Sequence, residues 1–599
     1  MAKLLNKLRE DAEVYYHADL LEYQDSNSKQ LMVSRAAIGR ILTLGLIYQV
    51  DGEERYARRA KEELMNVASF PDWKPSQFLS VAEMSVAVAF GYDWLYNELS
   101  AQERAELRQA LLDKALVYGP AAYGDISQRK VANWSAVADR DTAINNWNPV
   151  CNGGLLAAAL VLQEQTPELS AVVYKGVTET LPRTLEYYGP DGVWPESPTY
   201  WGYGTSYVVL CLALMQDQLG SDNGLSALPG IAETADYTRY IFGPTGVAFT
   251  YGDGGPARDV ILGSSPSVAW LIQHFDQSSS VPLFRKRLSR FLDTKLSGYF
   301  ASLTPGAAHR FTPLATLWLP EASEAYSDDS SPLNIHHDGF SELVFLRSRW
   351  NDPNGLWLAM KAGQNGFAHS HLDLGSFVLE ADGVRWGEDL GSDSYGLKGY
   401  WDSKPDGMRW SYYRMNNLSH NTIGPGQTLQ SVTATAPVID FKSAPEMAYA
   451  VVDMTEVYPD AAERMRRGVA MLDNAYILIQ DEWTAPSGHQ PTVWRMMTRA
   501  AVALSADGRS ATLTLQGKEL MARILKPETA QFSIESATPS NPKEKQNNGL
   551  RVLTATVPPT TEDVQLAIVL IPGSSKSEST QVTALDLWAD AFGGMDNAN

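Results

Sequence analysis

A change of hydrophobic period constrains this 599-residue chain more than any other feature. Ahead of the polar stretch "EAYSDDSSPLN" at 324–334, apolar side chains recur every three or four residues; beyond it they alternate or run continuously. The first pattern makes one face of a helix and the second makes strands. "SAQERAELRQALLDKAL" sets Ser100 and Glu103 at capping-box spacing, with Leu107, Leu111 and Ala115 on one face. "TPELSAVVYKGVTETLPRTLEYYGPDG" offers Thr166 as N-cap, Pro167 at the first helical position and Gly189-Pro190 as a stop. Further helices are expected at 31–49, 54–68, 78–97, 150–164, 204–219 and 266–293. So many antiparallel pairs in succession predict a ring of helical hairpins, an α/α toroid, although no strict repeat is visible.

The Ser/Asp/Pro-rich stretch reads as a linker and sets two domains, 1–328 and 329–599, in a chain too long for one ordinary core. In the second, "GFSELVFLRSRW", "GLWLAMKAG", "GSFVLEADGVRWGEDLG", "GVAMLDNAYILIQDEW" and "ATLTLQG" read as strands, with tight turns at Asp382-Gly383 and Asp473-Asn474. An antiparallel β-sandwich is the economical assembly. Ala537 to Asn548, rich in Ser, Pro, Lys and Asn, reads as a long exposed loop.

Composition removes several classes. Cys151 and Cys211 are the only cysteines, and no CxxC or Cys/His finger spacing occurs, so neither a disulfide framework nor a thiolate metal site is expected. The start "MAKLLNKLREDAEVYY" lacks the apolar core of a signal peptide, and no later run is expected to span a bilayer. A formal charge of −21 sets nucleic acid aside as a partner. It disfavours an acidic polysaccharide only weakly, because a local basic cleft acts within a Debye length of roughly 8 Å.

Five segments carry candidate chemistry. In "GFAHSHLDLGSFVLEADGVRWGEDLG", His369 and His371 lie two residues apart; if the segment is extended, both face one side, roughly 6.6 Å apart. Solvated loop histidines are the plain alternative. His420, in "SHNTI", joins His371 and Asp389 in a set able to hold zinc or manganese, at spacings that suit neighbouring strands; a salt-bridged His–Asp pair is the alternative. "INNWNPVCNGG" places Asn145, Asn146, Trp147 and Asn148 at a helix start, either as caps or as amides able to bind a sugar carboxylate. "ESPTYWGYGTSY" clusters Tyr200, Trp201, Tyr203 and Tyr207, and "FTYGDGGPARD" adds Tyr251, Asp253 and Arg258 on a turn.

Taken in order, "FGYDWLYNELSAQER", "NNWNPVCNGG", "ESPTYWGYG", "HSHLDLGSFVLEADGVRWGEDLG" and "SHNTI" resemble the heparinase II/III-like polysaccharide lyases, which include oligoalginate lyases and broad-specificity glycosaminoglycan lyases. The resemblance runs from Gln30 to Trp494. It implies an incomplete α/α toroid followed by an antiparallel β-sandwich, an active site in the cleft between them, and β-elimination at a uronic acid. Such a site needs donors to the carboxylate, a base at C5 and an acid at the glycosidic O4. By resemblance, Asn146 holds the carboxylate, Tyr200 is base or acid, and His369 is the histidine of the sandwich. His371, Asp389 and His420 match the positions of one structural divalent ion. Some relatives carry histidine where this chain has Asn146, which shifts work to Tyr200.

Trp147, Tyr203, Asn365, Arg409, Tyr413 and Arg414 are expected to touch substrate, the arginines because their fork matches carboxylate or sulfate. Arg409, Arg414 or the metal are the candidate cations for lowering a tyrosine pKa. The second active-site tyrosine stays open among Tyr400, Tyr412 and Tyr413. The expected substrates are hyaluronan, chondroitin, heparan sulfate and alginate, met in the periplasm or outside the cell; the oligomeric state is not fixed. One rival is a toroid glycoside hydrolase using Glu196 and Asp253. The other is a non-catalytic glycan-binding protein on the same scaffold.

Overall fold

In the computed structural model the capping box at Ser100 forms as its spacing predicts. The Glu103 amide donates to Ser100 Oγ at 3.2 Å, and the Ser100 amide donates to the Glu103 carboxylate at 2.7 Å, starting the helix Ala101–Lys114. Residues 1–124, 134–135, 144–294, 310–321, 331–484, 490–573 and 581–593 are described. They fall in two units: Met1–Tyr188, Tyr200–Ala235 and Val260–Tyr326 in one, and Gly189–Thr199, Asp236–Asp259 and Ser327–Asn599 in the other. The boundary expected at 328/329 lies outside the described residues. The second unit also takes two short segments from the helix-rich half of the sequence.

The first unit is helical. Its central helices, Asn27–Asp51, Phe78–Trp94 and Trp147–Leu162, bury residues around most of their circumference because Phe78–Trp94 packs against both of the others. Gly154 permits that approach: a Cβ there would lie 2.3 Å from the Ala82 Cα. The expected helix 266–293 is instead two, Pro266–His274 and Val281–Asp293, broken where Asp276 takes φ 51 and Pro282 begins the second. Thr166 takes the N-cap position ahead of Pro167, but its side chain makes no capping bond; its hydroxyl turns back to the Leu162 carbonyl at 3.2 Å. Asn27–Asp51 is long and apolar enough to cross a membrane, contrary to the expectation for any run in the chain. Its apolar window is 61% buried, as in a core helix. Cys151 and Cys211 are buried free thiols.

Within this unit Glu83 is fully buried on Phe78–Trp94. It pairs with Arg35 and Arg310, each at 2.9 Å, and accepts from the Tyr207 hydroxyl at 2.8 Å. Burial alone would raise its pKa, but the two guanidinium groups more than offset that and lower it.

The second unit is antiparallel. Its largest sheet has eight strands in the order Ala501–Leu504, Ser510–Leu515, Lys518–Lys526, Val564–Pro572, Tyr476–Thr484, Arg464–Leu472, Met447–Asp453 and Val438–Ala444. A five-stranded sheet runs Ile335–His337, Leu343–Arg347, Trp357–Lys361, Phe377–Ala381, Val384–Gly387. One apolar core, including Leu346, Leu358, Trp386, Met465, Ile479 and Leu566, draws on both, as facing layers of a sandwich require. The expected turns form with positive φ at Asp382 and Gly383 and at Asp473 and Asn474. The loop 537–548 is not wholly exposed: Ala537, Glu544 and Asn547 are buried, Glu544 accepting from the Tyr413 amide at 2.7 Å.

Candidate active site

The second unit gathers its polar groups around Asp253. Gly252 makes this possible: at φ 62, a Cβ there would lie 2.8 Å from the His369 carbonyl oxygen. With that side open, the Asp253 amide donates to the His369 carbonyl at 2.9 Å, while its carboxylate accepts from His369 Nδ1 at 2.9 Å. His369 itself has φ 61, a left-handed conformation that costs about 1 kcal/mol or more and marks a held residue. "HSHLD" is therefore a loop, as in the plain alternative, but a largely buried one, and the two imidazoles meet through a third residue instead of sharing a strand face.

The same carboxylate accepts from His371 Nε2 at 3.0 Å and from the Tyr400 hydroxyl, and pairs with Arg409 at 3.0 Å. Burial would raise the Asp253 pKa, but the Arg409 guanidinium and the two imidazoles hold it well below the usual carboxylate range. Asp253 is thus a fixed anion. Burial and that anion push the Tyr400 hydroxyl up, so it stays a proton donor. His369 Nε2 lies 3.7 Å from Glu196 Oε1, beyond hydrogen-bond reach. Glu196 accepts from Trp194 Nε1 at 3.1 Å.

Behind this group His371 Nδ1 faces His420 Nε2 at 3.2 Å, with a ligand atom of Asp373 within 4.8 Å of both. Asp389 sits on the opposite nitrogen, 3.2 Å from His420 Nδ1, so Asp373 rather than Asp389 completes the converging set. His371 and His420 each give the other ring nitrogen to a carboxylate, which turns two lone pairs toward each other. A divalent cation fits such facing nitrogens. His420 Nε2 also lies 3.2 Å from the Arg414 carbonyl. Burial opposes charge on both imidazoles; it prevails at His371, whose pKa is lowered, whereas Asp389 raises that of His420. Asp373 is also paired with the buried Lys361. Arg467 braces both loops, donating to the Gly375 carbonyl at 2.7 Å and the Asn421 carbonyl at 3.1 Å.

Several expected substrate contacts point elsewhere. Arg409 is buried and consumed by Asp253 and by the Ser370 and Tyr400 carbonyls at 2.9 and 3.1 Å. Arg414 donates to Asn547 at 3.0 Å and to the Leu390 and Ser392 carbonyls. Asn365 is buried with its amide on the Ser431 carbonyl at 2.9 Å. Among the tyrosines left open, Tyr412 donates to the Lys398 carbonyl and Tyr413 reaches Met497 Sδ at 3.9 Å; Tyr400 alone of the three reaches Asp253.

In the first unit, Asn145 is the residue that caps, accepting from the Trp147 amide at 2.9 Å. Asn146 is buried at the N-cap position of the same helix, with no side-chain capping bond. It packs near Gly204, one turn after Tyr200 on the helix Pro198–Leu219: a Cβ on Gly204 would lie 3.5 Å from the Asn146 Cβ. Trp147 and Tyr200 are half-buried. The Tyr203 ring lies under the Arg35 and Arg310 guanidinium groups, at 4.6 and 5.4 Å.

From the sequence Asp253 reads as a turn residue or as half of a hydrolase pair, not as the partner of His369, and Asp373 does not stand out as part of the metal set. The glycines flanking Asp253 in "YGDGG" were the available signal of a close backbone approach.

Residues 327–583 match the family described as heparinase II/III-like, C-terminal. No curated protein matches the chain. Among solved structures, a heparinase III with methylated lysines aligns over 97% of this chain and 87% of its own at 14% identity, TM-score 0.59. A mutant of heparan sulfate lyase HepC from Pedobacter heparinus aligns over 97% and 86% at 14% identity, TM-score 0.58. A further heparinase III aligns over 97% and 87% at 13% identity, TM-score 0.58. At such identities the likeness is one of fold, a helical toroid followed by an antiparallel β-sandwich.

Proposed function

Because this chain carries the heparinase II/III-like C-terminal domain, we propose that it is a polysaccharide lyase cleaving uronic-acid polymers by β-elimination. The observation that supports the reading most is the Asp253–His369 pair. A permanently ionised carboxylate takes Nδ1–H at 2.9 Å and so directs the basic lone pair of the imidazole to Nε2. Heparan sulfate, the polymer in the name of the similar HepC lyase, is uronate-containing and acidic.

In the proposed chemistry the C5 proton becomes removable once the neighbouring carboxylate is neutralised by a donor, the role given to Asn146. Where H5 and O4 leave from one face, as in glucuronate and mannuronate, Tyr200 takes the proton and returns it to oxygen. Where they leave from opposite faces, as in iduronate and guluronate, His369 is the base and a tyrosine the acid. Tyr200 is the tyrosine given that part; the Tyr400 hydroxyl, kept protonated on the Asp253 carboxylate, steadies that anion. His371, Asp373 and His420, with Asp389 behind, would hold a divalent ion, which supplies fixed positive charge to the loop carrying His369. A polymeric acidic substrate fits action outside the cytoplasm.

A hydrolase using Glu196 and Asp253 needs one of them protonated as the acid. The depressed pKa of Asp253 removes it from that part. To test the proposal, the protein is incubated with hyaluronan, chondroitin sulfate, heparan sulfate, polymannuronate and polyguluronate while ultraviolet absorbance and product mass are followed. Elimination gives an absorbing C4=C5 bond and no added water; products heavier by one water per cut would establish hydrolysis instead.

A further inference from the structure

The loop 391–409 leaves large rings outside its own small core. Beneath it Leu372, Leu397, Tyr400, Trp410, Tyr412 and Met415 pack together, yet Trp401 is 56% exposed and Tyr395 41%. The loop is anchored around them. The Asp402 amide donates to the Gly399 carbonyl at 3.0 Å, and Trp410 Nε1 donates to the Lys404 carbonyl at 2.8 Å. An indole left in water on an anchored loop forgoes the gain that burial brings, and exposed aromatic patches of this kind mark binding surfaces.

Position supplies the rest. The Trp401 ring lies 5.2 Å from the His369 ring, edge to face, and 4.9 Å from Tyr395 at an interplanar angle of 65°. Tyr395 in turn lies 6.0 Å from His369. The two rings form a corner adjoining the imidazole. Loop charge does not explain the patch, since Lys398, Lys404 and Arg409 are matched by Asp393, Asp402 and Asp406.

We propose that Tyr395 and Trp401 form a stacking subsite for one pyranose ring of an acidic oligosaccharide, next to the sugar on which His369 acts. This rests on the lyase reading given above. A pyranose presents a face of C–H groups polarised by ring oxygens, which the negative face of an aromatic ring attracts. The corner takes that face on one ring and its edge on the other. Because contact is through ring faces, the contribution of Trp401 is insensitive to salt, unlike that of a surface ion pair.

The test uses the full chain carrying Tyr200→Phe, so that bound oligosaccharide is not consumed, with hexasaccharides of hyaluronan, chondroitin, heparan sulfate and mannuronate as probes in calorimetric titrations. Adding Trp401→Ala raises Kd for the tightest probe about tenfold, equally at low and high salt, while Trp401→Phe stays within about threefold. An unchanged Kd in the alanine variant overturns the subsite and leaves the lyase reading intact. So does a change of sedimentation in place of a change of Kd, which would make the patch a contact between copies of the chain. Tenfold weaker binding beside a wild-type protein that makes no unsaturated product overturns the lyase reading and supports the subsite. Failure of every probe to bind overturns both.

Discussion

Asp253 and His369 are joined twice, backbone amide to carbonyl at 2.9 Å and carboxylate to imidazole Nδ1 at 2.9 Å. The first bond holds a histidine in the left-handed region; the second sets which of its nitrogens carries the proton. Replacing Asp253 by Asn keeps the backbone bond but puts an amide where one carboxylate oxygen accepted from a ring. We expect kcat to fall by about 10²–10⁴-fold with KM changed only a few-fold. Steady-state kinetics of D253N, with circular dichroism to verify the fold, checks this; near-normal kcat would show that the pair is structural only.

The metal set gives a second expectation. If His371 and His420 face a divalent ion, elemental analysis finds one ion per chain, and chelation lowers Tm. His420→Ala should abolish binding, whereas Asp389→Asn, altering the carboxylate behind His420, should weaken it by about 10–100-fold. A metal-free protein whose Tm ignores chelator would show that the set is held by hydrogen bonds alone.

Glu83 offers a test in the first unit. Glu83→Leu leaves the half-buried Arg35 and Arg310 without their carboxylate, and stability should drop by about 1–3 kcal/mol in urea unfolding. A loss below about 1 kcal/mol would mean that the cluster relaxes.

The same carboxylate predicts an acid dependence. Its folded pKa lies below the unfolded value of 4.5, so its stabilisation is complete above that pH and is lost as pH falls through the lowered folded value. The charged and titratable groups facing it are Arg35, Arg310, Tyr203 and Tyr207. Urea titrations between pH 6 and 3 should show stability falling only at the acid end, less steeply in Glu83→Gln; parallel curves would remove Glu83 from the acid response.

Local chemistry was legible in the sequence where neighbours determine it. The capping box at Ser100 and the turns at Asp382-Gly383 and Asp473-Asn474 depend on residues within a few positions, and all three form. The sandwich followed from strand period. The conformation of "HSHLD" was not legible, because what fixes it is Asp253, 116 residues earlier in the chain. Arg409 and Arg414 looked like substrate ligands because arginine suits carboxylates; folding instead spends them on Asp253 and loop carbonyls, which spacing cannot reveal. Trp401 was overlooked because a single exposed aromatic becomes informative only once its neighbour His369 is located.

The most direct test compares ultraviolet-absorbing product from the wild type, Tyr200→Phe and His369→Ala on the five uronate polymers. β-Elimination through these residues predicts rising absorbance with at least one polymer for the wild type, and its loss in at least one of the two variants on that polymer, with both still folded. Saturated products from the wild type, or undiminished rates in both variants, would contradict it.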